Sequence, residues 1–243
     1  MSLEQTQQKM RQLRLSTMAQ SLEARLARGE HRNTDPEAFV SILIDDEIEA
    51  RASKRVNHLI QKAQLRPEQA SLENIRHIAS RGFSKTDFDR FFRPDWIQRH
   101  ENMVFTGATG TGKTYLAEAL AFQSCRMGYR SRKLSQDMLI EEIRIHRAMG
   151  KYGKFLKMME QTQVLVIDDF AIGTYSPEQY CEILHILEER INKNVTIVTS
   201  QYPSDKWFER IPDPTVADAI CDRLLMTAWI LNLKGPSQRG SSK

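Results

Sequence analysis

Gly107-Ala108-Thr109-Gly110-Thr111-Gly112-Lys113-Thr114 is the stretch on which the fold turns. It satisfies G-x-x-x-x-G-K-[ST], and the short apolar run from Asn102 to Thr106 leads straight into it. A strand that ends in such a turn and is followed by a helix presents main-chain amides to an anion, and the helix adds its positive amino end. Lys113 then reaches for the β and γ phosphates of a nucleoside triphosphate, while Thr114 offers its hydroxyl to Mg2+. The cofactor-binding set read from this run is Gly107, Ala108, Thr109, Gly110, Thr111, Gly112, Lys113, Thr114 and the adjoining Tyr115, with ATP the expected ligand. The plainer alternative is a glycine turn that happens to precede a lysine.

Working outward, Val164-Leu165-Val166-Ile167 is a buried-strand run that ends in Asp168-Asp169. At the carboxyl ends of a parallel sheet, where open α/β folds bind ligands, Asp168 is suited to hold magnesium and Asp169 to orient an attacking water. Acid pairs at strand ends also serve as solvated caps. A third run, Val195-Thr196-Ile197-Val198-Thr199-Ser200-Gln201, would set its polar end beside the second, within hydrogen-bonding reach of the lytic water or γ-phosphate, unless these are only turn residues before Pro203. Further strands are expected at Ser131 to Ser135 and Trp229 to Leu233. Helical stretches long enough for crossovers lie between them, so the expected fold is an α/β parallel, doubly wound sheet.

Upstream the periodicity is helical. Leu15, Met18, Leu22 and Leu26 recur at helical spacing until Gly29 and Asn33. Thr34 or Asp35 can cap a second helix with Pro36 in its first turn. On it Val40, Ile44, Ile48, Ala52, Val56 and Ile60 step by four to form its apolar face, without Gly or Pro before Pro67. Leu72, Ile75 and Ile78 suggest a short third helix. Gly82 to Gln98 carries Phe83, Phe88, Phe91, Phe92 and Trp96, as a connector that packs its aromatics on the next domain would. The expected organisation is a small all-helical N-terminal domain over 1–80, a connector over 81–100 and the ATPase domain over 101–243.

The chain has 243 residues, 40% hydrophobic and 27% charged, with a formal net charge of +4. The mild positive balance leans towards a polyanionic partner. Cys125, Cys181 and Cys221 lie far apart with no metal-ligand spacing, and read as small buried or half-buried residues in a reducing compartment. Met1 to Gln8 is polar, and no apolar stretch approaches the roughly 18 residues of a membrane span. A cytoplasmic bacterial protein with no membrane partner is expected.

The three runs, in this order, resemble the core of an AAA+ ATPase. The likeness sharpens with Asp168-Asp169-Phe170, Thr199-Ser200-Gln201-Tyr202-Pro203 with Trp207, and Asp218-Ala219-Ile220-Cys221-Asp222-Arg223-Leu224, which resemble the IstB-type transposition helper ATPases, relatives of DnaC and DnaA. It covers the chain well from about Phe83 onward and the helical part in outline. The resemblance implies that Gln201 takes the sensor-one place and Arg223 that of an arginine finger for the neighbouring subunit. A guanidinium supplied in this way neutralises charge on the transferring phosphoryl group and makes hydrolysis depend on assembly. A surface salt bridge to Asp222 or Asp218 is the alternative for Arg223. The expected catalytic set is therefore Lys113, Asp169, Gln201 and Arg223, with Thr114 and Asp168 on the metal. The chain departs from most AAA+ proteins in leaving no room for a C-terminal helical lid, which puts a sensor-two arginine in doubt, with Arg239 a weak candidate. Asp169 replaces the commoner Glu, in agreement with the IstB pattern, and predicts slow basal turnover.

Two basic runs can meet DNA. Arg51, Lys54, Arg55, His58 and Lys62 form a stripe at spacings of three and four, and such a stripe can lie along a phosphate backbone. A solvated face whose charge order suits the helix dipole, with Asp45, Asp46, Glu47 and Glu49 in front, is the alternative. Arg144, His146, Arg147, Lys151, Lys154 and Lys157 make a second run, broken by Gly150 and Gly153. In an AAA+ assembly it would face a central channel, with Tyr152 or Phe155 packing on sugar or base; an ordinary basic helix and turn would read the same. No base-reading motif accompanies either run, so the expected contact is with phosphates and DNA shape, largely independent of sequence. The family reading implies a protein that uses ATP to oligomerise on duplex DNA, deforms it and recruits a transposase. A helicase loader of the DnaC type is the alternative, and a small-molecule kinase fits poorly with the helical front part and paired strand-end acids.

Overall fold

The computed structural model describes residues 2–65, 70–75 and 84–237, the Asp87 side chain excepted. Ile78, Phe83 and Arg239, each given a part above, lie outside the described residues. The chain divides into two compact units, Met1–His58 and Leu59–Lys243.

The first unit is helical: α1 (Leu3–Gln12), α2 (Ser16–Ala27) and most of α3 (Pro36–Lys62). α1 was not anticipated, because its sequence is almost wholly polar; a capping box at Ser2 and Gln5 starts it. Asp35, not Thr34, caps α3, its carboxylate accepting from the amides of Glu37 and Ala38 at 3.0 and 3.3 Å. The expected apolar face of α3 is corrected by the structure. Val40, Ile44 and Ile48 are 49%, 44% and 60% exposed, whereas the residues α3 buries are Leu43 and Glu47. The acids explain this rotation. α2 has no side-chain cap of its own, so its orphan Met18 amide donates to Glu47 Oε2 at 2.8 Å, and Arg25 and Ser21 of α2 grip Asp46. The Met18 amide also holds the Glu47 carboxyl below its ordinary range.

The second unit is built on a five-stranded sheet of order β2-β3-β4-β1-β5, every pair parallel: β1 (Met103–Thr106), β2 (Ser131–Ser135), β3 (Val164–Asp168), β4 (Val195–Ser200) and β5 (Trp229–Asn232). Its helices are α4 (Lys85–Arg90), α5 (Asp95–Gln98), α6 (Lys113–Arg126), α7 (Gln136–Ala148), α8 (Tyr152–Gln161), α9 (Pro177–Arg190), α10 (Trp207–Arg210) and α11 (Pro214–Leu225). Every residue of β1, β3 and β4 is buried, as a sheet covered on both faces requires. Apolar clusters fill both faces. One, around Leu139, Ile167, Phe170 and Trp207, lies under α7 to α11, and the other, around Phe91, Trp96, Phe105 and Leu120, lies under α6.

This unit begins earlier than the boundary expected near residue 100. Ala70, Leu72, Ile75, Phe88, Phe91, Trp96 and Ile97 are buried in the same cluster as β1 and α6, so the stretch read as the end of the helical domain and a connector is part of the core. Leu72–Asn74 forms a single 3-10 turn, not a helix. Among the described residues no helix follows β5, and none is long and apolar enough to cross a membrane. Cys125 and Cys221 are buried, but Cys181 is exposed.

Candidate functional site

β1 delivers the glycine loop to the carboxyl edge of the sheet, and the loop closes where α6 begins. Gly107, at φ 136°, passes so close to β5 that a Cβ there would stand 2.2 Å from the Leu233 carbonyl oxygen. Gly112 caps α6 at φ 94°, a left-handed turn that an L side chain would strain. Ala108 and Thr109 are exposed at the crest, while Lys113 is 6% exposed and folds back, its amine donating to the carbonyls of Gly107 and Ala108 at 2.7 and 2.9 Å. The ammonium thus sits in the concavity of the loop.

Beside it lies the end of β3. Asp168 Oδ1 accepts from the Thr114 hydroxyl at 2.9 Å and from the Thr199 hydroxyl in a short contact. Asp169 is exposed in a left-handed turn at φ 57°, its amide donating to Thr199 Oγ1 at 3.1 Å. Thr199 therefore ties both acids to β4. Gln201, to which the resemblance gives the sensor-one place, is exposed just past the strand. The signal for Thr199 was available, because a hydroxyl on a strand buried at every position must find a polar partner. Behind these residues Ser200 Oγ donates to the Phe170 carbonyl at 2.7 Å, Trp207 Nε1 donates to Ser200 Oγ at 3.3 Å, and Phe170 meets the Trp207 ring at 4.8 Å. A shared packing unit thus joins the residues quoted from the second and third runs. Tyr115 is half-buried, its hydroxyl donating to the Ser71 carbonyl at 3.2 Å.

Two further charges, not anticipated, stand here. Lys133 of β2 pairs with Glu118 of α6 at 3.2 Å and with Asp168 Oδ2 at 3.5 Å.

A phosphate loop on β1, an acid at the end of β3 and this strand order go together with a clear family likeness. The family model for IstB-like ATP binding proteins matches residues 8–243. The chain belongs to that family. An insertion-sequence ATP-binding protein of Sinorhizobium fredii is 33% identical over 230 residues, 95% of this chain and 92% of its own. One from Pseudomonas fluorescens is 31% identical over 204 residues, 84% and 88% of the two chains. Among solved structures, the DnaC helicase loader matches with a TM-score of 0.55 at 23% identity, over 68% of this chain and 97% of that one. DnaA bound to AMPPCP and single-stranded DNA matches with a TM-score of 0.57 at 20% identity, over 71% of this chain; the chain spans about half, 52%, of that DnaA. At such identities the structural likeness concerns the fold. This chain therefore joins an IstB-like ATP-binding sequence to the fold shared by DnaA and DnaC.

Arg223 lies at the other edge of the sheet. Asn102, immediately before β1, donates to its carbonyl at 3.0 Å, so a strand rising about 13 Å separates its backbone from the phosphate loop. Its guanidinium pairs with Glu188 at 2.9 Å, not with Asp218 or Asp222, and donates to the Ala219 carbonyl at 3.0 Å. Nearby, Arg190 is 1% exposed and donates to the carbonyls of Met159, Thr162 and Val195, each at 2.5 Å; burial pulls its pKa down to about 9.

The basic runs are less uniform than their spacing suggests. Arg51 is bound to Glu47 at 2.8 Å and to the Arg14 carbonyl at 2.6 Å, whereas Lys54, Arg55, His58 and Lys62 are exposed. Arg144 pairs with Glu141 at 2.6 Å, and Arg147 pairs with Glu182 at 2.5 Å and covers the Tyr152 ring. Lys151, Lys154 and Lys157 are exposed. Phe155 is 1% exposed against His146, which removes it as a surface for a base; its apolar face is spent inside α7 and α8. The Tyr152 hydroxyl donates to Glu182 at 2.7 Å.

Proposed function

We propose that this IstB-like ATPase is a transposition helper: it binds ATP with magnesium between adjacent subunits, oligomerises on duplex DNA largely without regard to sequence, deforms the duplex and recruits a transposase. The observation that carries this is the convergence of the glycine loop, Thr114, Thr199 and Asp168 at one sheet edge, in a chain whose relatives are insertion-sequence proteins. The helicase-loader alternative shares the fold and the loop, but relatives near 30% identity over most of both chains favour the insertion-sequence setting.

The donor set suits magnesium, since a hydroxyl and a carboxylate oxygen 2.9 Å apart are the hard ligands that ion takes alongside phosphate oxygens. Thr114 and Asp168 would hold it, and when bound it would neutralise charge on the β and γ phosphates. The amides of residues 107–112 and the Lys113 ammonium bind and orient the triphosphate. Asp169, exposed at the same edge, would orient the attacking water, with Gln201 hydrogen-bonding that water or the γ-phosphate. Arg223 would serve a neighbour's phosphate once its pair with Glu188 opens. Lys54, Arg55 and Lys62 would meet the duplex with Arg51, and Lys151 and Lys154 with Arg144 and Arg147 would approach it in the assembly.

The test is light scattering after gel filtration, with and without a non-hydrolysable ATP analogue and duplex DNA. Assembly only with both is expected, and a chain that stays monomeric throughout overturns the proposal.

A further inference from the structure

We infer that Lys133 and Glu118 are positioning residues that set how strongly the Asp168 carboxylate draws a divalent cation. The inference rests on magnesium and ATP meeting at this loop. Glu118 stands one turn beyond Thr114 on α6, 7% exposed, and its carboxylate shares one ammonium with Asp168. Asp168 Oδ1 faces the Thr114 and Thr199 hydroxyls, while Oδ2 is the oxygen Lys133 holds. The two oxygens therefore have separate duties: one looks into the site and the other is pinned to β2. The side chains are 19% exposed for Lys133 and 9% for each acid, so water screens the three charges poorly.

The formal charge of the triad is minus one, set by two carboxylates and one ammonium. A cation arriving at Thr114 and Asp168 meets that sum, since Lys133 and Glu118 lie within a few ångströms of its carboxylate. Removing the ammonium should raise its affinity, and removing the Glu118 charge should lower it. Removing both should restore it. A merely structural salt bridge knitting β2 to α6 predicts something else: every substitution would loosen the site and weaken binding alike.

The experiment titrates Mg2+ against binding of a fluorescent ATP analogue to the full chain and reads the half-saturating Mg2+ concentration. Relative to the unsubstituted chain, Lys133→Met should lower that concentration by about tenfold and Glu118→Gln should raise it by about tenfold, the size expected for one unit charge at short range behind partial screening. The double variant Lys133→Met/Glu118→Gln and the single Lys133→Arg should both fall within about twofold of the parent. If Lys133→Met does not fold, recovery of the parent value in the double variant against the shift in Glu118→Gln still decides. Weakening in all variants, or no shift in any, overturns the inference. Magnesium-independent binding by the unsubstituted chain would instead overturn the reading of the site itself.

Discussion

At the carboxyl edge of the sheet, polar side chains from α6, β3 and β4 are turned inward onto one another. Asp168 alone draws hydroxyls from two elements and an ammonium from a third. Along α3 and across α7 and α8, the basic side chains either point into solvent or have already been claimed by an acid: Arg51 by Glu47, Arg144 by Glu141, Arg147 by Glu182. Both regions carry charge, at regular spacing only in the second. Only in the first is the cation of the pair, as well as the acid, largely withdrawn from water, which costs free energy unless the arrangement is satisfied or used. Arg190 guards against reading too much into convergence. It is as well bonded as anything at the phosphate loop, yet it is sealed from solvent, where the loop opens through Ala108 and Thr109. Inward polarity with an opening marks chemistry; inward polarity without one marks architecture.

The largest effect should come from Lys113→Ala, which takes the ammonium out of the loop: ATPase activity should fall about a thousandfold and calorimetry should detect no ATP uptake, with the melting temperature preserved. A folded variant that still took up ATP would break the distinction at its strongest point. Arg190→Met should do the reverse. It takes a donor from three carbonyls and should cost about 3 kcal/mol in urea denaturation, while the remaining folded protein binds ATP normally. Thr199→Val keeps the shape and removes the hydroxyl that links both acids. A fall of about tenfold in kcat with KM within about twofold is expected from steady-state kinetics. Among the basic residues, the triple variant Lys54→Ala/Arg55→Ala/Lys62→Ala should lower the log-log salt slope of duplex binding by about three, because three unengaged cations are lost. Arg144→Ala/Arg147→Ala should change the slope by less, since both are already paired; equal changes would erase the contrast between free and claimed charge. Smallest, Glu188→Gln should reduce by about threefold the protein concentration at which ATPase activity rises with assembly, as the pair that holds Arg223 is weakened.

The contrast also explains what was legible beforehand. Val164–Asp168 and Val195–Ser200 match the reading to the residue, because strands covered on both faces are rich in apolar and β-branched residues; Ser131–Ser135 also matches, although it is a polar edge strand and only partly buried. The phosphate loop was legible because its residues are consecutive. Lys133 and Glu118 were not, and Thr199 was legible only as a buried hydroxyl in want of a partner, since which groups meet depends on the order β2-β3-β4 and on α6 packed beside it. The first unit misled for a related reason. Apolar periodicity marked Val40, Ile44 and Ile48, but α3 docks through Leu43, Asp46 and Glu47, because carboxylates answering the uncapped start of α2 outweigh a greasier stripe. α1 escaped notice altogether, since a helix with almost no apolar residues has no period to detect.

One distance along a short strand has a consequence for symmetry. The phosphate loop and Arg223 occupy opposite edges of the same sheet. A two-fold pair could bring Arg223 to a neighbour's site only by completing both sites reciprocally across one interface, whereas a head-to-tail complex completes one site per contact and grows until it closes into a ring or runs on as a filament. In every open form one terminal subunit keeps a nucleotide with no guanidinium to meet it, and turnover per subunit should climb with the number of copies joined.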